Sequence, residues 1–167
     1  TILKRLVKKG LLRREWTKER RGMYIYKPTE KAIKLYLPTS EITRKRLISE
    51  RAQADAKHFT KELVLHPKIR KNIHLVALFG SVARGNADER SDIDILIVID
   101  DEKIRPSVED LALDYYMKHG TRFSTQILTN GELTKTVKNR DAATMRIIHE
   151  GVVLYGLDYW KKLKDVI

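Results

Sequence analysis

The stretch LVALFGSVARGNADERSDIDILIVI, Leu75 to Ile99, decides how this chain is read. It runs as strand, tight glycine turn, short helical turn, polar loop and second strand. Asp92 and Asp94 open the second strand one residue apart. On an extended chain rising ~3.3 Å per residue their side chains share a face, with Cα atoms ~6.6 Å apart. Ile93, Ile95, Ile97 and Ile99 take the other face. Two ionised carboxylates ~5 Å apart repel by about 3 kcal/mol at an effective dielectric near ~20, and a divalent cation between them removes that repulsion.

The upstream half supplies a place for phosphate. Gly80 follows an apolar run, where a residue without Cβ lets the backbone turn sharply and approach a ligand closely. Ser81 offers a hydroxyl and backbone N–H groups at the start of a helical turn, Arg84 adds a planar cation suited to phosphate, and Gly85 ends the turn. Phosphate in the turn and Mg2+ on the aspartates together describe nucleoside triphosphate chemistry.

Gly80, Ser81, ten intervening residues and then Asp92-Ile93-Asp94 resemble the GS-x10-DxD signature of the minimal nucleotidyltransferases, within the DNA polymerase β-like superfamily. The segments Ala83 to Gly85 and Ser91 to Asp94, and the apolar strand that follows, extend the likeness, which covers about residues 60 to 157. It implies a mixed-sheet α/β (α+β) domain that moves a nucleoside monophosphate, AMP being expected, from a magnesium-bound triphosphate to an acceptor, releasing pyrophosphate. Carried onto this chain, it makes Asp92 and Asp94 the catalytic, metal-holding pair and Gly80, Ser81 and Arg84 the nucleotide-binding residues. The likeness also implies a third carboxylate on the strand at Thr121 to Thr129, serving as base toward the acceptor hydroxyl. This chain has Ser124, Thr125 and Gln126 there, and no acid. Two metals ~3.5–4 Å apart need more than two carboxylates to bridge them, so the acceptor-side ion suffers most from the loss.

Composition bounds the rest. The chain has 167 residues, 42% of them apolar, enough for one medium domain with a small appendage. It has no cysteine, which fits a reducing interior and excludes disulfides and thiolate metal sites. No apolar run approaches the ~20 residues of a bilayer span, so a soluble cytoplasmic protein without membrane contact is expected. Abundant Lys, Arg, Glu and Ile match heat-adapted proteins. The chain starts at Thr1, apparently inside an element, and upstream residues are expected to be missing.

Residues 1–58 hold 17 Lys and Arg against 6 Asp and Glu, whereas residues 59–167 hold 17 against 16. Almost all of the +12 net charge therefore lies in the first third. There, Ile2, Leu3, Leu6 and Val7 form a helical stripe opposite Lys4, Arg5, Lys8 and Lys9, and Gly10 ends the helix. Leu11 to Lys18 and Met23 to Lys27 read as two strands around the turn Lys18 to Gly22, with Tyr24 and Tyr26 on one face. After Pro28, Thr29 caps a short helix.

Helix, hairpin and helix in this order resemble the second half of a winged helix-turn-helix domain lacking its first two helices. That likeness implies a basic helix in the major groove of duplex DNA and a wing tip near phosphates, with Arg5, Lys8, Lys9, Arg20 and Arg21 as the contacts. A dimerisation surface is the competing reading of the same module.

The expected organisation is a partial winged module at 1–37, a linking helix at 38–66 and a nucleotidyltransferase domain at 67–167. Ile42, Leu47, Ile48, Phe59, Leu63 and Val64 supply the linking helix's apolar positions. Further helices are expected at Ser107 to Lys118, Glu132 to Lys138 and Arg140 to Glu150, with a turn at Asn130-Gly131 and a last helix bearing Trp160. The acidic run Asp100 to Glu102 reads as a solvated strand exit, a second metal there being the alternative. The five histidines are scattered and read as surface or packing residues.

Three functions stay in play. The first is a magnesium-dependent nucleotidyltransferase, possible acceptors including a helical partner protein whose antitoxin it would be. The second is a DNA-binding regulator, expected to be a homodimer, that keeps the fold as a nucleotide sensor. The third is an adaptor that needs neither metal nor DNA.

Overall fold

The computed structural model describes residues 2–17, 23–32 and 41–167. The chain divides into two compact units, 1–44 and 45–167.

In the first unit, helix α1 (Ile2–Lys8) precedes the antiparallel strands β1 (Leu12–Thr17) and β2 (Met23–Pro28), paired in continuous register from Leu12 opposite Pro28 to Thr17 opposite Met23. Glu15 bridges Arg13 at 2.9 Å and Lys27 at 2.6 Å, and Trp16 packs edge-on against Tyr24. Thr29 begins a helical turn at 30–32, its hydroxyl donating to the Gly10 carbonyl at 2.6 Å and accepting from the Ala32 N–H at 3.3 Å. The expected apolar stripe of α1 is only partly covered: Ile2 and Leu3 are exposed, Leu6 and Val7 are half-buried, and only Leu11 and Ala32 are buried apolar residues among those described here. A seven-residue helix beside one hairpin has too little apolar surface of its own to bury that stripe. The turn at 18–22, and with it Arg20 and Arg21, lies outside the described residues.

The second unit is built on a four-stranded mixed sheet. In chain order the elements are α2 (Glu41–Leu65), β3 (Ile73–Phe79), the four-residue helix α3 (Gly80–Ala83), β4 (Ile93–Ile99), α4 (Arg105–His119), β5 (Phe123–Thr129), α5 (Asn130–Lys138), α6 (Ala142–Glu150), β6 (Val152–Tyr155) and α7 (Leu157–Asp165). The strand order is β5-β4-β3-β6, with β3 antiparallel to both neighbours and β4 parallel to β5. Among the described residues no helix is long and apolar enough to cross a membrane.

Both faces of the sheet are covered, which is why β3 and β4 are near-continuous apolar runs. On one face Val76, Leu78, Ile93, Ile95, Ile97 and Ile99 pack against Ala56, Phe59 and Leu63 of α2 and Val108 and Tyr115 of α4. On the other, Leu75, Ala77, Leu96 and Val98 meet Leu133 and Val137 of α5, Ile147 and Ile148 of α6, and Trp160 of α7. Asp92 and Asp94 alternate with the isoleucines and so belong to this second face.

Three expectations shift. Helix α2 buries Ser49, Ala56, Phe59, Thr60 and Leu63, whereas Ile42 and Leu47 are exposed. Its two buried hydroxyls are satisfied inside the helix, Ser49 donating to the Lys45 carbonyl at 2.8 Å and Thr60 to that of Ala56 at 2.7 Å. Asn130 and Gly131 open α5 instead of forming a separate turn. Thr129 accepts from the Glu132 N–H while the Glu132 carboxylate accepts from that of Thr129, a capping box that draws the pair into the first helical turn. In α6, where Ala143 is expected to pack from its place in the sequence, Ala143 is exposed and Thr144 is buried with Ile147 and Ile148.

Candidate active site

Strand β3 hands the chain to the glycine turn at its end. Phe79 pairs with Asp94 in the β3–β4 register, and Gly80 then turns at φ +72°. A Cβ at Gly80 would stand 2.1 Å from Asp94 Oδ2, so the absence of a side chain at this position is what lets the carboxylate lie against the turn. The turn closes through Arg84 N–H to the Gly80 carbonyl at 3.2 Å and Asn86 N–H to the Ser81 carbonyl at 3.0 Å. Two residues of α2 hold it from behind. Gln53 donates to the Val82 carbonyl at 2.9 Å, and the buried Ser49 hydroxyl accepts the Ala87 N–H at 3.0 Å.

The loop to the acids is tied at Asp88, whose carboxylate accepts the Arg90 N–H at 2.9 Å and the Ser91 hydroxyl at 3.2 Å. Strand β4 starts at Ile93, whose N–H donates to the Arg122 carbonyl at 3.1 Å. Asp94 is half-buried and Asp92 exposed. Burial, then the neighbouring Asp92 charge, raises the Asp94 carboxyl above its ordinary range, against the lowering effects of a hydrogen bond from Ser124 and the nearby Arg84 cation. Arg122 Nε stands 3.9 Å from Asp92 Oδ1.

Gly80, Ser81, Arg84, Asp92 and Asp94 therefore converge at one end of β3 and β4. Arg84 contacts Glu150 of α6 at 3.2 Å, and together with Phe79, Gly80, Gln126, Arg146 and Glu150 it lines a cavity of ≈ 240 Å³. A wider cleft of ≈ 480 Å³ lies on the Asp92 side, with Arg51, Arg90, Tyr116 and Arg122 in its wall. In the parallel β4–β5 register Ser124 sits opposite Asp94 and Gln126 opposite Leu96, so both share the acid face, while Thr125 faces the other way. Of the three positions at which the resemblance implies a third carboxylate, Ser124 and Gln126 thus lie on the acid face, Ser124 directly beside Asp94, and neither is an acid. Arg5, Lys8 and Lys9 belong to the first unit, where all three are exposed.

Sequence reasoning passed over Ser49, Gln53, Arg122, Arg146 and Glu150. A signal existed for Ser49, a hydroxyl at helical spacing from Ala52, Ala56, Phe59 and Leu63. None existed for Arg146 and Glu150, because nothing local fixes which turn of α6 meets Arg84.

Residues 62–159 match the family described as polymerase beta, nucleotidyltransferase. No curated protein matches the chain significantly. Among solved structures, a toxin-antitoxin crystallised with AMP-PNP is similar at 20% identity over 64% of this chain and 79% of that one, with a TM-score of 0.44. A Sulfolobus solfataricus protein provisionally named a nucleotidyltransferase is similar at 23% identity over 68% of this chain and 86% of that one, with a TM-score of 0.39. Since the family match spans more than half of the 167 residues and runs unbroken from the end of α2 into α7, the chain belongs to the polymerase beta nucleotidyltransferase family.

Proposed function

We propose that this protein transfers a nucleoside monophosphate from a nucleoside triphosphate to an acceptor hydroxyl, with ATP the donor to test first. One observation carries the reading: the Asp94 carboxylate lies against Gly80, which sets the acid pair directly beside the glycine turn. In the transfer the acceptor oxygen bonds to the α-phosphorus, the bond from that phosphorus to the bridging oxygen breaks, and pyrophosphate leaves.

Asp92 and Asp94 are two hard oxygen donors on one face, one of them penalised by burial and by its neighbour's charge, and this donor set fits Mg2+. When bound there, Mg2+ supplies charge neutralisation of the phosphates. The chain's own groups do the positioning. Gly80 and Ser81 present backbone N–H groups to the triphosphate, and Arg84 swings between Glu150 and a phosphate oxygen. Gln126 and Arg146 line the cavity in which the donor's remaining atoms are held. With Ser124 in place of an acid, no carboxylate of β5 takes the acceptor proton, which passes to water.

Incubation with α-labelled ATP, Mg2+ and a panel of nucleic-acid ends and protein hydroxyls tests the reading. Label should move in the wild type and not in Asp92→Ala. Transfer that survives this substitution overturns the site.

A second reading concerns the first unit, where Arg5, Lys8 and Lys9 are exposed on or just after α1 in the most basic part of the chain. We assign these residues, with Arg20 and Arg21, to phosphate contacts on duplex DNA from a winged module at 1–37. A homodimer would double the contact and its salt dependence.

A further inference from the structure

Helices α2 and α4, which cover the sheet face opposite the acids, carry a cluster that the transfer chemistry does not use. His58 and Glu62 lie one turn apart on α2, a spacing that puts both side chains on the same helix face. His119 is the last residue of α4, which ends there because Gly120 adopts the left-handed conformation. One ligand atom from each of the three side chains lies within 4.8 Å of the others. His58 Nδ1 is 3.9 Å from Glu62 Oε1, and the His119 ring meets the His58 ring edge-on with centroids 5.7 Å apart. Two positions 61 residues apart give no spacing signal, which is why the histidines look scattered in sequence.

The arrangement has the other parts a metal site needs. The Tyr115 hydroxyl lies 2.9 Å from His58 Nδ1, which leaves Nε2 as that ring's metal-binding nitrogen, and the Tyr115 ring packs on His119, so one buried side chain orients both imidazoles. Glu62 supplies negative charge, and the carboxyl end of α4 adds the partial negative charge of a helix terminus. Donors around tetrahedral zinc at ~2.1 Å stand about 3.4 Å apart, so three groups within 4.8 Å of one another must close by up to about 1.4 Å. His58 is half exposed and Glu62 a third exposed, which leaves both side chains room to rotate.

We propose that His58, Glu62 and His119 bind one borderline transition-metal ion, Zn2+ first, with water as the remaining ligand. Two imidazoles and one carboxylate suit zinc and are poor ligands for Mg2+, which demands six hard oxygens, so this site and the acid pair select different ions. The ion clamps α2 to the end of α4. Helix α2 carries Ser49 and Gln53, which hold the glycine turn, and α4 leads directly into Arg122 and Ser124, so the clamp stiffens the support of the acid pair from the far side of the sheet. It stands or falls independently of nucleotidyl transfer.

Calorimetric titration of the chelator-treated, untagged full chain with ZnCl2 tests this, repeated in Asp92→Ala/Asp94→Ala to remove the other cation site. The expected result is one equivalent bound in both proteins with micromolar affinity, unaffected by millimolar Mg2+, and a higher melting temperature with zinc. His119→Ala, at an exposed position, should keep the metal-free melting curve and lose at least tenfold in affinity, as should Glu62→Gln. Co2+ in place of Zn2+ should give the intense visible absorption of a four-coordinate nitrogen–oxygen site in the wild type and not in His119→Ala. No zinc uptake by the wild type, or equal uptake in both single variants, overturns the proposal, as does uptake that disappears with the two aspartates.

Discussion

Asp94 ionises against resistance, and that resistance has a measurable sign. Burial and Asp92 raise its folded-state pKa, so the folded protein holds this proton more tightly than the unfolded chain does. Stability then falls as pH rises through the interval between the ordinary carboxylate value and the raised one, and the penalty stays in place at neutral pH. In metal-free buffer at neutral pH, Asp94→Asn should therefore melt above the wild type, with the gain vanishing in acid below the ordinary carboxylate range. A variant that melts lower at neutral pH contradicts this account of the site. Gly80 answers the same carboxylate from the other side. Gly80→Ala places a methyl group 2.1 Å from Asp94 Oδ2 at a φ of +72°, so denaturant unfolding should show a loss of about 1–2 kcal/mol from the left-handed backbone alone. Nucleotide binding should fall with it, because the acid must move; wild-type stability in that variant would show that the close approach is relieved at no cost. Both residues were legible in sequence, since a glycine ending an apolar run and acids spaced by two fix the pair. Their contact was not, because it depends on the pairing of Phe79 with Asp94.

Elements explain which parts of the pattern could be read and which could not. Strands β3 and β4 stand out because a sheet covered on both faces needs uninterrupted apolar runs, and α2 stands out by its length without Gly or Pro. The face that α2 buries was read in part: Phe59 and Leu63 are buried as expected, whereas Ile42 and Leu47 are exposed and the buried hydroxyls of Ser49 and Thr60 were passed over, because a small hydroxyl residue shows its burial only through its partners. Ser49 shows the consequence. Its hydroxyl caps the buried N–H of Ala87 across 38 positions, so Ser49→Ala should destabilise the protein by ~1–3 kcal/mol for the unsatisfied donor. It should also slow transfer more than an equally destabilising core substitution on α7, since Ser49 bonds to the segment that closes the glycine turn and the α7 core does not; equal effects on rate would make it a packing residue. The same dependence on context explains α5. Asn130-Gly131 reads as a turn by itself, but Thr129 and Glu132 on either side form a reciprocal cap that makes it helix.

At the scale of the whole molecule, charge and chemistry are divided between the halves of the sequence. Residues 1–58 carry nearly all of the net positive charge, and the family match begins at residue 62. If the basic third contacts duplex DNA, Lys8→Glu/Lys9→Glu should weaken binding across all sequences and lower the log–log salt slope by about one for each phosphate contact removed. Unchanged binding would return α1 to a packing or dimer role. Transfer by the other half should be untouched by that pair of changes. The whole account rests on nucleotide and cation meeting at Gly80 and the acid pair, and calorimetric titration of the wild type with ATP, with and without excess Mg2+, measures that meeting most directly. The expected result is binding that Mg2+ strengthens at least tenfold and that Asp92→Ala reduces to the magnesium-free level. No uptake of ATP or any other nucleoside triphosphate with Mg2+ or Mn2+ in excess would contradict it.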